Sequence, residues 1–251
     1  MFPKGTAVRE YMMDMYLNVD MNLARSICVL GGDTMLGRQV IAVARRCGFH
    51  VKTQVQDPNF EHSANAIEVV LCDLNDQRCL THVVSDCMAV INCYGPTMRT
   101  CAAGPATEAA KLTRSLLPKL HRKGARRYIV VSHSGVVLPG DRPRPLGSLA
   151  TRVAGSLGLC SRLADKQNEA AVLMQCDLDW TIVRCAKLKP LRTVGACIAD
   201  RHALRGGFVS TETLARFLVH QIDCTSYLRS GVFVNSRNSN SHVSEYLRIH
   251  G

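Results

Sequence analysis

The chain has 251 residues, 47% hydrophobic and 20% charged, with 31 Lys+Arg against 20 Asp+Glu for a net charge of +11. That is enough apolar material for one sizeable α/β domain, while no run approaches the roughly 18 to 20 apolar residues of a membrane span and the opening lacks the layout of a secretory leader. The positive surplus attracts anionic partners, but aromatic content of 5% leaves few stacking platforms, which disfavours nucleic acid.

We therefore expect a protein of the cell interior, in the cytoplasm, without membrane contact. Its twelve cysteines are scattered singly, with no CxxC pair and no histidines at zinc spacing. They read as thiols in a reducing compartment, and no metal site is expected.

In chain order, residues 1–22 hold five methionines and precede the first convincing strand. They are expected to be a poorly ordered extension, with Met21 as an alternative start. Glu10, Asp14 and Asp20 argue against a transit peptide. One domain is expected over 23–235 and a tail over 236–251.

Within the domain, short β-branched apolar runs at Ser26–Leu30, His50–Val55, Ile67–Cys72, Ala89–Cys93, Tyr128–Val131 and Trp180–Val183 predict strands. Helical spacing lies between them at Met35–Cys47, Asp76–Ser85, Ala106–Lys123 and Ser161–Gln175. A last helix at Thr211–Gln221 and a strand at Gly231–Val234 follow. Strands apolar on both faces, alternating with helices, predict a doubly wound, mostly parallel sheet of Rossmann type in a single α/β domain.

The stretch SICVLGGDTMLGRQV, residues 26–40, places a glycine turn between the first strand and the first helix. A turn at the carboxyl edge of a parallel sheet aims a helix N-terminus, with unpaired N–H groups and partial positive charge, at a phosphate. The segment Gly31, Gly32, Thr34, Met35, Leu36 and Gly37 is the candidate diphosphate cradle. Gly31 permits the tight turn and Gly37 a close approach of helix to sheet. Thr34 stands where close approach to a diphosphate usually asks for glycine. Its hydroxyl either donates to a phosphate oxygen or, by its bulk, weakens the site.

At this point the chain resembles the atypical short-chain dehydrogenase/reductase superfamily, in the NAD(P)-binding branch that includes NmrA-like proteins and biliverdin reductase B. The resemblance is a string of short matches over roughly residues 25–235. VLGGDTMLG (29–37) is similar to the branch's VxGATGxxG, VQDP (55–58) to its VRDP, LCDLND (71–76) to its GDL, and AVINCYG (89–95) to its fourth strand. GARRYIVVSHSGV (124–136) resembles its fifth strand, and KQNEAAVLMQCDLDWTIVRCAKL (166–188) its lysine-and-glutamate helix, here K-x-x-E, followed by DWTIVRP.

The resemblance implies NAD or NADP as cofactor. It implies that Asp57 accepts from the adenine ribose, that Asp73 with Leu74 meets the adenine, that Cys93 and Gly95 run beneath the cofactor, and that Lys166 bonds the nicotinamide ribose with Glu169 as its partner. Asp57 also reads as a turn aspartate before Pro58, Asp73 as a strand-end cap and Cys93 as a buried thiol. Gln56 stands where the branch holds a 2′-phosphate with arginine; Lys52 and Arg38 are candidate substitutes.

The usual catalytic tyrosine, four residues before the lysine, is Arg162 here. Candidate proton donors are Ser132, His133 and Ser134, leaving the fifth strand. The implied reaction is hydride transfer to a planar small-molecule acceptor such as a flavin or tetrapyrrole, lodged near 136–147 with Arg142 and Arg144 on its acidic substituents. The alternatives are a non-catalytic dinucleotide sensor resembling NmrA, with a protein partner, and a basic scaffold that has lost the cofactor. Cys185 replaces the branch's proline and is expected to loosen the turn after its strand.

Overall fold

The computed structural model describes residues 25–61, 67–94, 108–141, 159–185, 187–191, 196–202 and 207–237. The expected extension 1–22 lies outside them, as do Gly95, Arg142 and Arg144. The first half of the domain runs β1 (Ser26–Leu30), α1 (Met35–Arg46), β2 (His50–Val55), β3 (Ile67–Leu71), α2 (Gln77–Val84), β4 (Ala89–Asn92), α3 (Glu108–Lys123) and β5 (Arg127–His133). It continues with α4 (Leu159–Met174), β6 (Asp179–Cys185), β7 (Leu188–Lys189), β8 (Ala196–Asp200), β9 (Val209–Ser210), α5 (Thr211–His220) and β10 (Ser230–Arg237).

Eight strands form one sheet in the order β3-β2-β1-β4-β5-β6-β10-β8, and β7 pairs with β9 in a small second sheet. All pairs in the large sheet are parallel except β10 with β8. The doubly wound expectation holds. The chain leaves β1 toward β2 and β3, then returns to β4 on the other side of β1. That reversal opens a crevice between the carboxyl ends of β1 and β4, where ligands of open α/β sheets bind.

Alternation along each strand supplies a core on both faces. Ile27 and Val29 join the layer that holds Leu36, Val40 and Ile41 of α1 and Leu214 and Leu218 of α5. Cys28 and Leu30 join the layer with Leu80 of α2, Leu116 and Leu120 of α3, and Ala170 and Leu173 of α4. With both faces covered, the central strands read as continuous apolar runs.

Three strands escape the sequence reading. β7 and β9 have two residues each, too few for periodicity to register, and β8 is an antiparallel edge strand that leaves Ile198 exposed. β5 runs on to His133 and β6 to Cys185, which are register partners. Cys185 ends β6, its carbonyl accepting from Ser134 N at 3.0 Å, and the turn expected to loosen after it begins at residue 186, outside the described residues. Cys72 and Cys79 also depart from the all-thiol expectation, being joined as a disulfide across the β3–α2 turn with their Cα atoms 5.9 Å apart.

Candidate functional site

The glycine turn lies at the carboxyl rim of the sheet. Gly31 has φ +74°, and a Cβ on it would meet the backbone of Tyr94, after β4, at 3.1 Å. A Cβ on Gly37 would sit 2.0 Å from the Gly31 carbonyl oxygen, so only glycine lets α1 start this close to β1. Gly32 is likewise closed in, its missing Cβ falling on the Thr53 hydroxyl.

Thr34 is the N-cap of α1. Its hydroxyl donates to the Gly31 carbonyl at 2.7 Å and accepts from Gly37 N at 2.9 Å. Both hydrogen bonds of the hydroxyl lie inside the turn, and its proton is directed to Gly31. The helix geometry leaves the first-turn amides of Met35 and Leu36 for an anion. Met35 is exposed and Leu36 is packed into the core.

Around the expected adenosine end, Gln56, Pro58, Leu71, Cys72 and Asp73 line one cleft of about 400 Å³. Asp73 Oδ1 accepts from the Asn75 backbone at 2.9 Å and Asp57 Oδ1 from Asn59 N at 2.9 Å, so both also do the local work of turn residues. Leu74 is buried in the core layer with Leu80. Lys52 is not near this cleft: it donates to the Ser85 carbonyl and pairs with Glu68. Arg38 is better placed, with Nε 3.4 Å from the Asp33 carbonyl and its guanidinium 4.3 Å from the centre of the Phe60 ring.

At the far end of the crevice, Ser132 on β5 is 5% exposed and its hydroxyl has no hydrogen-bond partner among the described residues. Such orphaned buried groups are rare in folded proteins. His133 Nδ1 accepts from Gly135 N at 2.9 Å, which leaves only Nε2 as a donor. Ser134 is fixed by its backbone to Cys185.

Lys166 on α4 is buried and bonds Glu169 at 2.8 Å. From there hydrogen bonds run from Glu169 to the Thr113 hydroxyl at 2.9 Å, the Tyr128 phenol at 3.2 Å, Asn92 at 2.9 Å and the Tyr94 backbone N–H at 2.9 Å. Lysine and crevice loop are thus one connected network. Burial pushes the Cys93 thiol up to about 12 and the Cys185 thiol to about 11, against the opposing charge of Lys166. Both stay protonated at neutral pH, and Lys166 lies within electrostatic reach of the ends of β4 and β6, which flank Ser132.

Three residues carry weight that their sequence context did not announce. Asp165, one turn from Glu169, accepts from the Ala109 and Ala110 amides at 2.9 and 3.1 Å and so closes the N-terminus of α3 to other anions. Arg184 is fully buried, bonds both oxygens of Asp141 and the Val136 carbonyl, and lies 3.8 Å from the Phe233 ring centre. It pins the segment after β5 rather than facing the crevice. Asp33 accepts from the Gln56 and Asp57 amides. Among the described residues no cluster of three or more His, Cys, Asp or Glu could hold a metal, and no helix is long and apolar enough to cross a membrane.

A turn that only glycine can make, two first-turn amides and an orphaned hydroxyl at the far rim fit a dinucleotide laid across the switch point. The comparisons agree. Residues 31–225 match the model of an NAD(P)H-binding family, and the chain belongs to that family, with NAD or NADP as its cofactor.

Among solved structures, a Lactobacillus casei protein is 16% identical with a TM-score of 0.71, over 85% of this chain and 100% of its own. A short-chain dehydrogenase/reductase from Veillonella parvula, in complex with NADP, is 19% identical with a TM-score of 0.66, over 86% and 96%. A candidate NADH-flavin reductase from Streptococcus pneumoniae is 16% identical with a TM-score of 0.66, over 85% and 100%. These likenesses establish the fold. No curated protein matches the chain.

Proposed function

We propose that the protein is an NAD(P)H-dependent oxidoreductase that passes hydride to a planar acceptor, such as a flavin or a tetrapyrrole, without a catalytic tyrosine. The observation that carries the reading is the Ser132 hydroxyl, buried and without a partner among the described residues at the carboxyl end of β5, with Lys166 on the neighbouring helix. Leaving such a group unmade costs stability, and a ligand at this edge would repay it. The bound cofactor supplies the hydride.

The chain's own residues then have four tasks. Met35 and Leu36 amides take the diphosphate. The Tyr94 backbone closes over Gly31 and fixes the floor. Lys166, held by Glu169, faces the nicotinamide ribose. Ser132 gives a proton to the reduced acceptor and recovers one from water, so hydride and proton come from different donors.

A second reading has its own support. Lys166 is neutralised by Glu169 and His133 is engaged by Gly135, as in a dinucleotide-sensing protein that answers to a protein partner instead of reducing anything. Incubation with NADH or NADPH plus flavin or biliverdin separates the two. Loss of the reduced-nicotinamide absorbance only when acceptor is present supports the reductase. Saturable cofactor binding with no oxidation across the acceptors rejects it in favour of the sensor.

A further inference from the structure

The inference concerns which dinucleotide the site takes, and it rests on the reading of the crevice as a dinucleotide site. Asp33 follows the two glycines of the turn, and its Oδ2 accepts from Gln56 N at 2.7 Å and Asp57 N at 3.0 Å. These are the first two backbone amides past β2. In this fold the adenine ribose lies against the end of the second strand, where a carboxylate suits a free 2′-hydroxyl and a cation suits a 2′-phosphate. Paired backbone amides there form a concavity for anions. In this chain the concavity already holds an anion of its own.

The surrounding charge points the same way. Asp57 is the next residue past Gln56, and Asp73 lines the cleft together with Gln56. Gln56 itself is neutral. Lys52 is held away by Ser85 and Glu68. Among the described residues Arg38 is the cation placed beside Asp33, and its guanidinium is engaged with the Asp33 carbonyl and the Phe60 ring. A 2′-phosphate would have to displace Asp33 from two amides or sit against it.

We propose that Asp33 makes the site selective for NAD(H) over NADP(H), its carboxylate standing in the seat a 2′-phosphate would need. The full chain is titrated with NADH and with NADPH, following nicotinamide fluorescence, and the titrations are repeated on Asp33→Asn and on Asp33→Asn with Gln56→Arg. The asparagine keeps an oxygen for the Gln56 and Asp57 amides while removing the charge, and a melting curve of each variant confirms that it folds.

The expected result is a dissociation constant at least tenfold lower for NADH in the unmodified chain. The ratio shrinks in Asp33→Asn through a gain in NADPH affinity, and reverses in the double variant. Equal or tighter NADPH binding by the unmodified chain overturns the proposal and leaves the dinucleotide site standing. An unchanged ratio in a folded Asp33→Asn overturns the role of Asp33. Binding of neither cofactor overturns the site and the selectivity together.

Discussion

Single residues in the turn show how little freedom the sequence leaves there. Thr34 spends its hydroxyl on Gly31 and Gly37, a capping role that Ser, Thr, Asp and Asn share at helix starts, so a side chain in glycine's place ties the turn together. Ser132 is the opposite case, a buried hydroxyl that bonds nothing among the described residues. Replacing it with alanine removes an unsatisfied group, so Ser132→Ala is expected to melt within about 0.5 kcal/mol of the parent. If its proton reaches the acceptor, turnover falls roughly a hundredfold, the scale of general acid catalysis, while the dinucleotide dissociation constant holds. Steady-state rates and a binding titration on the same preparation check this. An unchanged rate assigns the proton to His133 or to water, and a large loss of stability shows that the hydroxyl has a structural partner.

At the scale of elements, helices α1 and α5 are locked by one buried carboxylate. Glu212, 4% exposed, accepts from Gln39, from Arg46 at 3.0 Å and from Arg216 at 2.7 Å. Burial pushes its carboxyl upward, but the Arg216 and Arg46 hydrogen bonds and charges outweigh it and hold the acid below its ordinary range. A folded-state value below the unfolded one means stability that is present above the unfolded value, about 4.3, and is lost as pH falls through the folded one. Melting temperature is therefore expected to drop steeply below about pH 4.3, and Glu212→Gln, melted across the same range, to flatten that part of the profile while lowering the neutral plateau. An equally steep acid limb in the variant would assign the loss to other carboxylates.

This lock was illegible in the sequence because its partners are 173 and 166 residues apart, and no local pattern encodes them. The Arg184–Asp141 pair and the Cys72–Cys79 bridge were hidden for related reasons: one joins separate segments, and the other's spacing of seven belongs to no cysteine motif. The helices and the strands other than β7, β8 and β9 were legible, because two-sided burial writes itself into runs such as SICVL and helix faces such as MLGRQVIAVARR. The glycine turn was legible for the same reason, since Gly31 and Gly37 obey local sterics. Asp33 was not, because its carboxylate acts on amides 23 and 24 residues away.

The whole molecule has two unlike ends. The carboxyl rim of the sheet gathers the glycine turn, Asp33, Ser132 and the Lys166 network, while the amino end is sealed by Arg127. Its guanidinium bonds the carbonyls of Gln221 and Asp179 and the Thr181 hydroxyl, and burial lowers its pKa to about 10 despite the opposing charge of Asp179. Trp180, the only tryptophan, is 5% exposed and pairs with Tyr128 near the start of β6. Cys185 closes that strand at the functional rim, and five residue steps of about 3.3 Å put some 16 Å between the indole's backbone and the site. The indole therefore reports the core. Saturating oxidised dinucleotide, which does not absorb at the emission wavelength, is expected to leave the Trp180 emission maximum in place while raising the melting temperature by mass action. Denaturant shifts the same emission to the red in a single transition that coincides with loss of helical signal. A shift of the maximum on binding alone would mean that the amino end responds to the cofactor, and the two ends could no longer be treated as independent.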